Sequence, residues 1–347
     1  MPKRDDPNQE PLLPHLRVRL EHRGTKASYE ADLADFNRFS IAADKGDLPR
    51  PPVPPSLLAD YITDLHKRGF RRETTRRRLC AIAAWYKEND VEIDPRKNDK
   101  VKRAWDEIKK DEDRKKERRL AALQSVVFEM LDSLDADYDS HVRPSNQVTL
   151  SYLRDRALIL VLYFGGMTRT EIATLYRENI IEYPGEDKTL LLKVNTSGEK
   201  LDQETKRKEW VTPKRTRLAF LRRSLDPDRC PVRAISQWIH KAGIKDGYVF
   251  RGVMLNGNMT AGLAPRSVHE IITNRMKRVD VHDVDVSQLS AHSLRIGLAG
   301  SLAIDGKTDR EILAAVGLRT FDGSMQHVVT QGRALQGSSA GAKVRTL

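Results

Sequence analysis

Ala291-His292-Ser293-Leu294-Arg295-Ile296-Gly297-Leu298-Ala299-Gly300 is the stretch on which the reading of this chain turns. His292 and Arg295 stand three residues apart, so on a helix they share one face, one turn from each other. The residues behind them, Ile296 to Ile304, are mostly small or apolar, as a buried helix requires. An imidazole and a guanidinium side by side can clamp a phosphate, one as a switchable donor and the other as a fixed fork. The same spacing fits a plainer arrangement, a capping His and a salt-bridged Arg with Glu171 as its candidate partner.

Outward from this stretch, charge is the most informative bulk property. Lys and Arg number 61 against 49 Asp and Glu, a net charge of +12. Such a chain is attracted to polyanions, and each phosphate it neutralises steepens the salt dependence of binding. A generally charged, solvated surface gives the same composition. With 347 residues, two domains are expected. No run approaches the roughly 18 apolar residues of a membrane span, and Met1-Pro2-Lys3-Arg4-Asp5-Asp6 carries no signal core. Cys80 and Cys230 alone argue against a disulfide framework or a cysteine-based zinc site. The expectation is a cytoplasmic, nucleoid-associated protein with no membrane partner, no metal and no cofactor.

Residues 1–14 are polar and Pro-rich, and are expected to be disordered. A helical domain is expected over 15–114, with apolar faces built from Tyr29, Leu33 and Phe36, then Leu57, Leu58, Tyr61, Ile62 and Leu65, then Ile82, Ala83 and Tyr86. The run Phe70-Arg71-Arg72-Glu73-Thr74-Thr75-Arg76-Arg77-Arg78-Leu79 opens the third of these helices, with Thr74 or Thr75 the candidate N-cap. Its arginines are read as facing away from the apolar side with few acidic partners, and so as able to meet DNA backbone or bases. A solvated charged face is the alternative.

A dense mixture of charges leads to an expected linker at 115–121, and a second domain follows over 122–335. It mixes helices with a small antiparallel sheet, whose strands are read at Leu190–Val194 and Trp210–Thr212. A core helix is expected over Asp155–Phe164, ended by Gly165-Gly166. The Gly/Ser-rich end from Gln331 is read as weakly structured, with 336–347 a flexible tail.

These motifs resemble the tyrosine recombinase (phage integrase) family along nearly the whole chain. The resemblance implies a mainly α fold with a small antiparallel sheet, a helical core-binding domain followed by a catalytic domain, and a C-shaped clamp around duplex DNA. His292 and Arg295 match the family's HxxR pair, and Lys200, within Glu199-Lys200-Leu201-Asp202-Gln203-Glu204, matches its hairpin lysine. Three positions depart. Thr168, in Gly166-Met167-Thr168-Arg169-Thr170-Glu171, stands where the first arginine belongs. Leu318 stands at the His/Trp position, and His327 stands nine residues further on, where the family has its nucleophilic tyrosine.

The family transfers a DNA phosphoryl group to that tyrosine, with positioned donors rather than a metal bearing the charge. Losing one such donor costs on the order of 10²–10³ in rate. The last tyrosine of the chain is Tyr248, upstream of HxxR. Arg169 is one residue beyond the missing arginine, about 100° away on a helix. The expectation is a double-stranded DNA-binding protein that does not cut its substrate, serving as a transcriptional regulator or architectural factor. A recombinase with an altered site and a non-catalytic recombinase subunit are the alternatives. DNA contacts are expected from Arg71, Arg72, Thr74, Thr75, Arg76, Arg77, Arg78, Arg169, Lys200, Lys206, Arg207, Lys208, His292 and Arg295. Self-association, or another DNA-binding protein on the same DNA, is left open.

Overall fold

A computed structural model describes residues 23–43, 46–48, 50–110, 120–183, 189–195, 200–201, 208–209, 216–279 and 285–336. The expected N-terminal segment 1–14, most of the expected linker 115–121, all but the first residue of the tail 336–347, Lys206, Arg207 and Trp210–Thr212 lie outside them. Two compact units are present, Met1–Lys116 and Glu117–Leu347.

The first unit packs α1 (Arg23–Ala42), α2 (Pro55–Lys67), α3 (Arg72–Glu88) and α4 (Asp99–Lys110). Most of its core is what the helical periodicity predicts: Leu33, Phe36, Leu57, Leu58, Tyr61, Ile62, Leu65, Ile82 and Tyr86 are buried, joined by Trp85 and Val101, whereas Tyr29 and Ala83 are only half-buried. Burying each such side chain is worth about 1.5–3 kcal/mol.

The start of α3 differs from the sequence reading. The helix begins at Arg72 with Arg71 as N-cap, and no side chain caps it. Thr74 and Thr75 are therefore inside its first turns, and Thr75 is buried. Arg78 is also buried: it pairs with Asp35, bonds the Tyr61 hydroxyl at 2.8 Å and lies over the Phe70 ring at 4.3 Å. Arg77 bonds Asp32 at 2.5 Å. The reading overlooked Asp32 and Asp35 because they come from α1, more than forty residues upstream, and sequence proximity gives no hint of the pairing.

The second unit carries α5 (Gln124–Asp139), α6 (Asn146–Phe164), α7 (Arg169–Ala173), β1 (Ile180–Glu182), β2 (Leu190–Asn195), β3 (Lys200–Leu201), β4 (Lys208–Glu209), β5 (Thr216–Leu221), α8 (Pro231–Lys241), α9 (Pro265–Met276), α10 (Ala291–Ile304), α11 (Asp309–Val316) and α12 (Gly323–Ala334). It is mainly helical, with a three-stranded antiparallel sheet in the order β1-β2-β5 and a separate β3-β4 pair. The strand opposite β2 is thus β5. Ala219 and Leu221 of β5 face inward while Leu218 and Phe220 are half-exposed, so both faces are apolar and the period-two contrast that marks a strand is lost.

The core helix α6 is longer than expected, capped by the Ser145 hydroxyl accepting from the Val148 N–H. Against it sits α10, almost wholly buried. Gly297 is required there: a Cβ would fall 1.7 Å from the Ala122 carbonyl oxygen. Gln331–Ala334, read as the start of a weakly structured end, are instead the last turn of α12. Gly332 lets it approach α10, where a Cβ would meet the Gly300 oxygen at 2.8 Å. No described helix is long and apolar enough to cross a membrane.

Candidate functional site

Arg295 lies in α10 with its side chain only 5% exposed, and its Nη1 donates to Glu171 Oε2 at 3.4 Å. The salt-bridged alternative for Arg295 is therefore realised. At the start of α10 the Ser293 hydroxyl accepts from the Ser290 N–H at 3.0 Å. His292 itself is half-buried in the first turn.

Glu171 reaches this pair from α7, where Thr168 is the N-cap. The Thr168 hydroxyl accepts from the Glu171 N–H at 3.2 Å, and Glu171 Oε2 accepts from the Thr168 N–H at 2.7 Å. This reciprocal cap satisfies two otherwise orphan donors. It uses Thr168 for helix termination, so that residue brings a hydroxyl and no charge. Arg169, the next residue, is exposed.

A residue that the sequence reading missed completes the cluster. Arg217 of β5 donates from Nε to Glu171 Oε1 at 3.1 Å and from Nη2 to Oε2 at 3.3 Å. The same Nη2 reaches the Gly165 and Gly166 carbonyls at 3.1 and 2.9 Å, beyond the end of α6. In sequence Arg217 stands among Lys214, Arg215, Arg222 and Arg223 and reads as one more surface cation. Only the pairing of β5 with β2, which the strand pattern hides, turns it inward.

The charges here act strongly on one another. Burial raises the Glu171 carboxyl, but the hydrogen bonds and charge of Arg217 outweigh it and hold the group below its ordinary value. Burial lowers the Arg295 guanidinium; the Arg217 charge lowers it further, against the pull of Glu171 and Asp322.

The other expected residues are distributed as follows. Lys200 and Lys208 lie in the β3-β4 hairpin, Lys200 opposite Glu209, and are described by backbone path alone. Leu318, one residue past the left-handed Gly317, packs against the core. His327 is half-buried in α12. On α3, Arg71 and Arg76 are exposed and Arg72 and Thr74 are partly so, whereas Thr75 and Arg78 are buried away from any ligand. Among the described residues, the tyrosines nearest in sequence to these elements are engaged elsewhere. Tyr163 reaches α10 but is fully buried, its hydroxyl bonding Ser301 at 2.8 Å, and Tyr248 packs on Tyr176 with ring centroids 4.5 Å apart.

No protein-family model matches the chain. It is 24% identical over 306 residues to an integrase/recombinase xerD homolog of Selenomonas ruminantium, covering 85% of this chain and 79% of that protein. Among solved structures it superposes on the Tn1549 transposon integrase in complex with transposon right end DNA, with a TM-score of 0.57 at 13% identity, over 95% of both chains. It superposes equally, at a TM-score of 0.57 and 14% identity, on the XerH site-specific recombinase bound to a palindromic difH substrate, over 91% of this chain and 78% of that one. The fold is that of the tyrosine recombinases. The mainly helical architecture with a small three-stranded antiparallel sheet agrees with the fold class expected from the sequence. On this recombinase fold the Glu171, Arg217 and Arg295 cluster joins α7, β5 and α10 within the second unit.

Proposed function

We propose that the protein binds double-stranded DNA through a recombinase scaffold and does not cut the strand, acting as a transcriptional regulator or an architectural factor. The observation that carries this reading is a recombinase fold with no tyrosine after Tyr248, and with His327 and Leu318 at the positions that the resemblance assigns to nucleophile and donor. Leucine has no hydrogen-bonding side chain, and a histidine in place of tyrosine removes the phenolic leaving group that makes strand transfer reversible. The binding half persists in Arg295, in the hairpin Lys200 and Lys208, and in Arg71, Arg72 and Arg76 around the start of α3. Thr75 is left out of this surface because it is buried, Arg78 because it is engaged with Asp32, Asp35 and Tyr61, and Arg77 because it is engaged with Asp32. A net charge of +12 supplies the long-range attraction.

The test is fluorescence anisotropy of the full chain with a 30-bp random-sequence duplex across a salt series. Binding should weaken steeply with salt. Arg76→Ala should weaken it at every sequence and flatten the log–log slope by about one, the loss of a single phosphate contact. An unchanged slope in Arg76→Ala would take α3 off the DNA, and no binding at low salt would remove the reading.

A second reading, an active strand-transfer enzyme with a rearranged site, is favoured by Arg217, which sets a second guanidinium on the carboxylate of Arg295.

A further inference from the structure

Glu171 is saturated: its two oxygens accept from the Thr168 N–H, from Nε and Nη2 of Arg217 and from Nη1 of Arg295. One carboxylate thus faces two guanidiniums, which leaves the triad itself one positive charge in excess, with Asp322 acting on Arg295 through its charge alone. Two donors in it are buried and have no partner among the described residues, Arg217 Nη1 and Arg295 Nε. Leaving such a donor unmet costs about 1–3 kcal/mol, and more where the group is charged. Excess charge and orphan donors in one cluster both call for an anion with several acceptor oxygens.

Arg217 is held for this purpose by groups other than Glu171. The Gly165 and Gly166 carbonyls fix Nη2, and Gly317 gives the side chain its path, since a Cβ there would lie 2.3 Å from Arg217 Cδ. Gly317 also adopts φ +65°, which favours glycine independently. Both guanidiniums bond the same oxygen, Glu171 Oε2, which brings them together at one carboxylate.

We propose that Arg217 and Arg295 form a two-guanidinium phosphate site on Glu171, with Arg217 of β5 supplying the cation that Thr168 does not. Guanidinium forks match the paired non-bridging oxygens of a phosphate. That the phosphate is a DNA phosphodiester rests on the function proposed above; the site's chemistry is equally that of free phosphate, and the test has an arm for each. A structural role alone, tying β5 to the end of α6, explains the carbonyl bonds but not the unmet donors.

The experiment is calorimetric titration of the full chain with inorganic phosphate at constant ionic strength. Wild type and Arg266→Ala, an exposed control outside the cluster, should bind alike. Arg217→Gln and Arg295→Gln should each weaken phosphate binding at least tenfold, and the double variant should be little worse than either alone. A merely structural Arg217 would lower the melting temperature without changing phosphate affinity. If Arg217→Gln does not fold, Arg217→Lys keeps the charge without the fork and should fold yet still bind phosphate several-fold more weakly. In the duplex arm, Arg217→Gln should flatten the salt slope by about one. Phosphate bound equally by wild type and a folded Arg217 variant, or not at all by wild type, overturns the proposal. Phosphate binding that depends on Arg217 without any duplex binding upholds the site and removes the DNA reading.

Discussion

Glu171→Ala should destabilise the second unit by about 3–5 kcal/mol, the cost of leaving a buried charge without its partner. The substitution strands two cations together: Arg295, with 5% of its side chain exposed, and Arg217, with 12%. It also removes the acceptor for the Thr168 N–H and so breaks the cap of α7, worth about 1 kcal/mol by itself. Glu171→Gln keeps an acceptor at that N–H but loses the charge, and its cost should come almost wholly from the two arginines. Urea unfolding of the second unit, read as a fall in midpoint at constant slope, checks both variants. A loss below 1 kcal/mol in Glu171→Ala would mean that the triad is not buried as described.

The second large effect belongs to the first unit. Asp35 accepts from the Tyr61 hydroxyl at 2.8 Å and from Arg68 at 2.9 Å, and pairs with Arg78. Burial raises its carboxyl, yet the hydrogen bonds of Arg68 and Tyr61 and the charge of Arg78 prevail and bring it from 3.8 down to about 2. A group depressed in the folded state stabilises fully above its unfolded value. Its contribution, about 2 kcal/mol for a shift of this size, should disappear as pH falls from about 4 to about 2. Asp35→Ala should cost about 3 kcal/mol at neutral pH, because buried Arg78 loses its hydrogen-bonded carboxylate and keeps only Asp32, 3.7 Å away, and it should remove that part of the acid limb. Thermal melts of both proteins between pH 2 and 7 test this. An acid limb of equal depth in Asp35→Ala would assign it to other carboxylates.

These two residues also mark where the sequence is legible and where it is not. The helical cores announce themselves through spacing: Leu57, Leu58, Tyr61, Ile62 and Leu65 recur as an amphipathic helix requires and all are buried. The HxxR helix announces itself by small and apolar residues around two polar ones. Ion pairing does not, because charged residues far apart in sequence carry no periodic signal. Arg78 reads like its exposed neighbour Arg76, and the α1 carboxylates of Asp32 and Asp35 distinguish them. Arg217 reads like Arg222, and only the β5 register turns it toward Glu171. At Thr168 the substitution is plain in the sequence, while the neighbouring guanidinium, some fifty residues downstream, is not.

The most direct measurement of the central claim, that this fold grips duplex DNA and leaves the strand intact, uses duplexes selected for binding from a random pool. Nicked within the bound region, they are incubated with the full chain and resolved on native and on denaturing gels. The account predicts a retained complex on the native gel and no protein–DNA species that survives denaturant. A denaturant-resistant adduct that wild type forms and His327→Ala does not would contradict it.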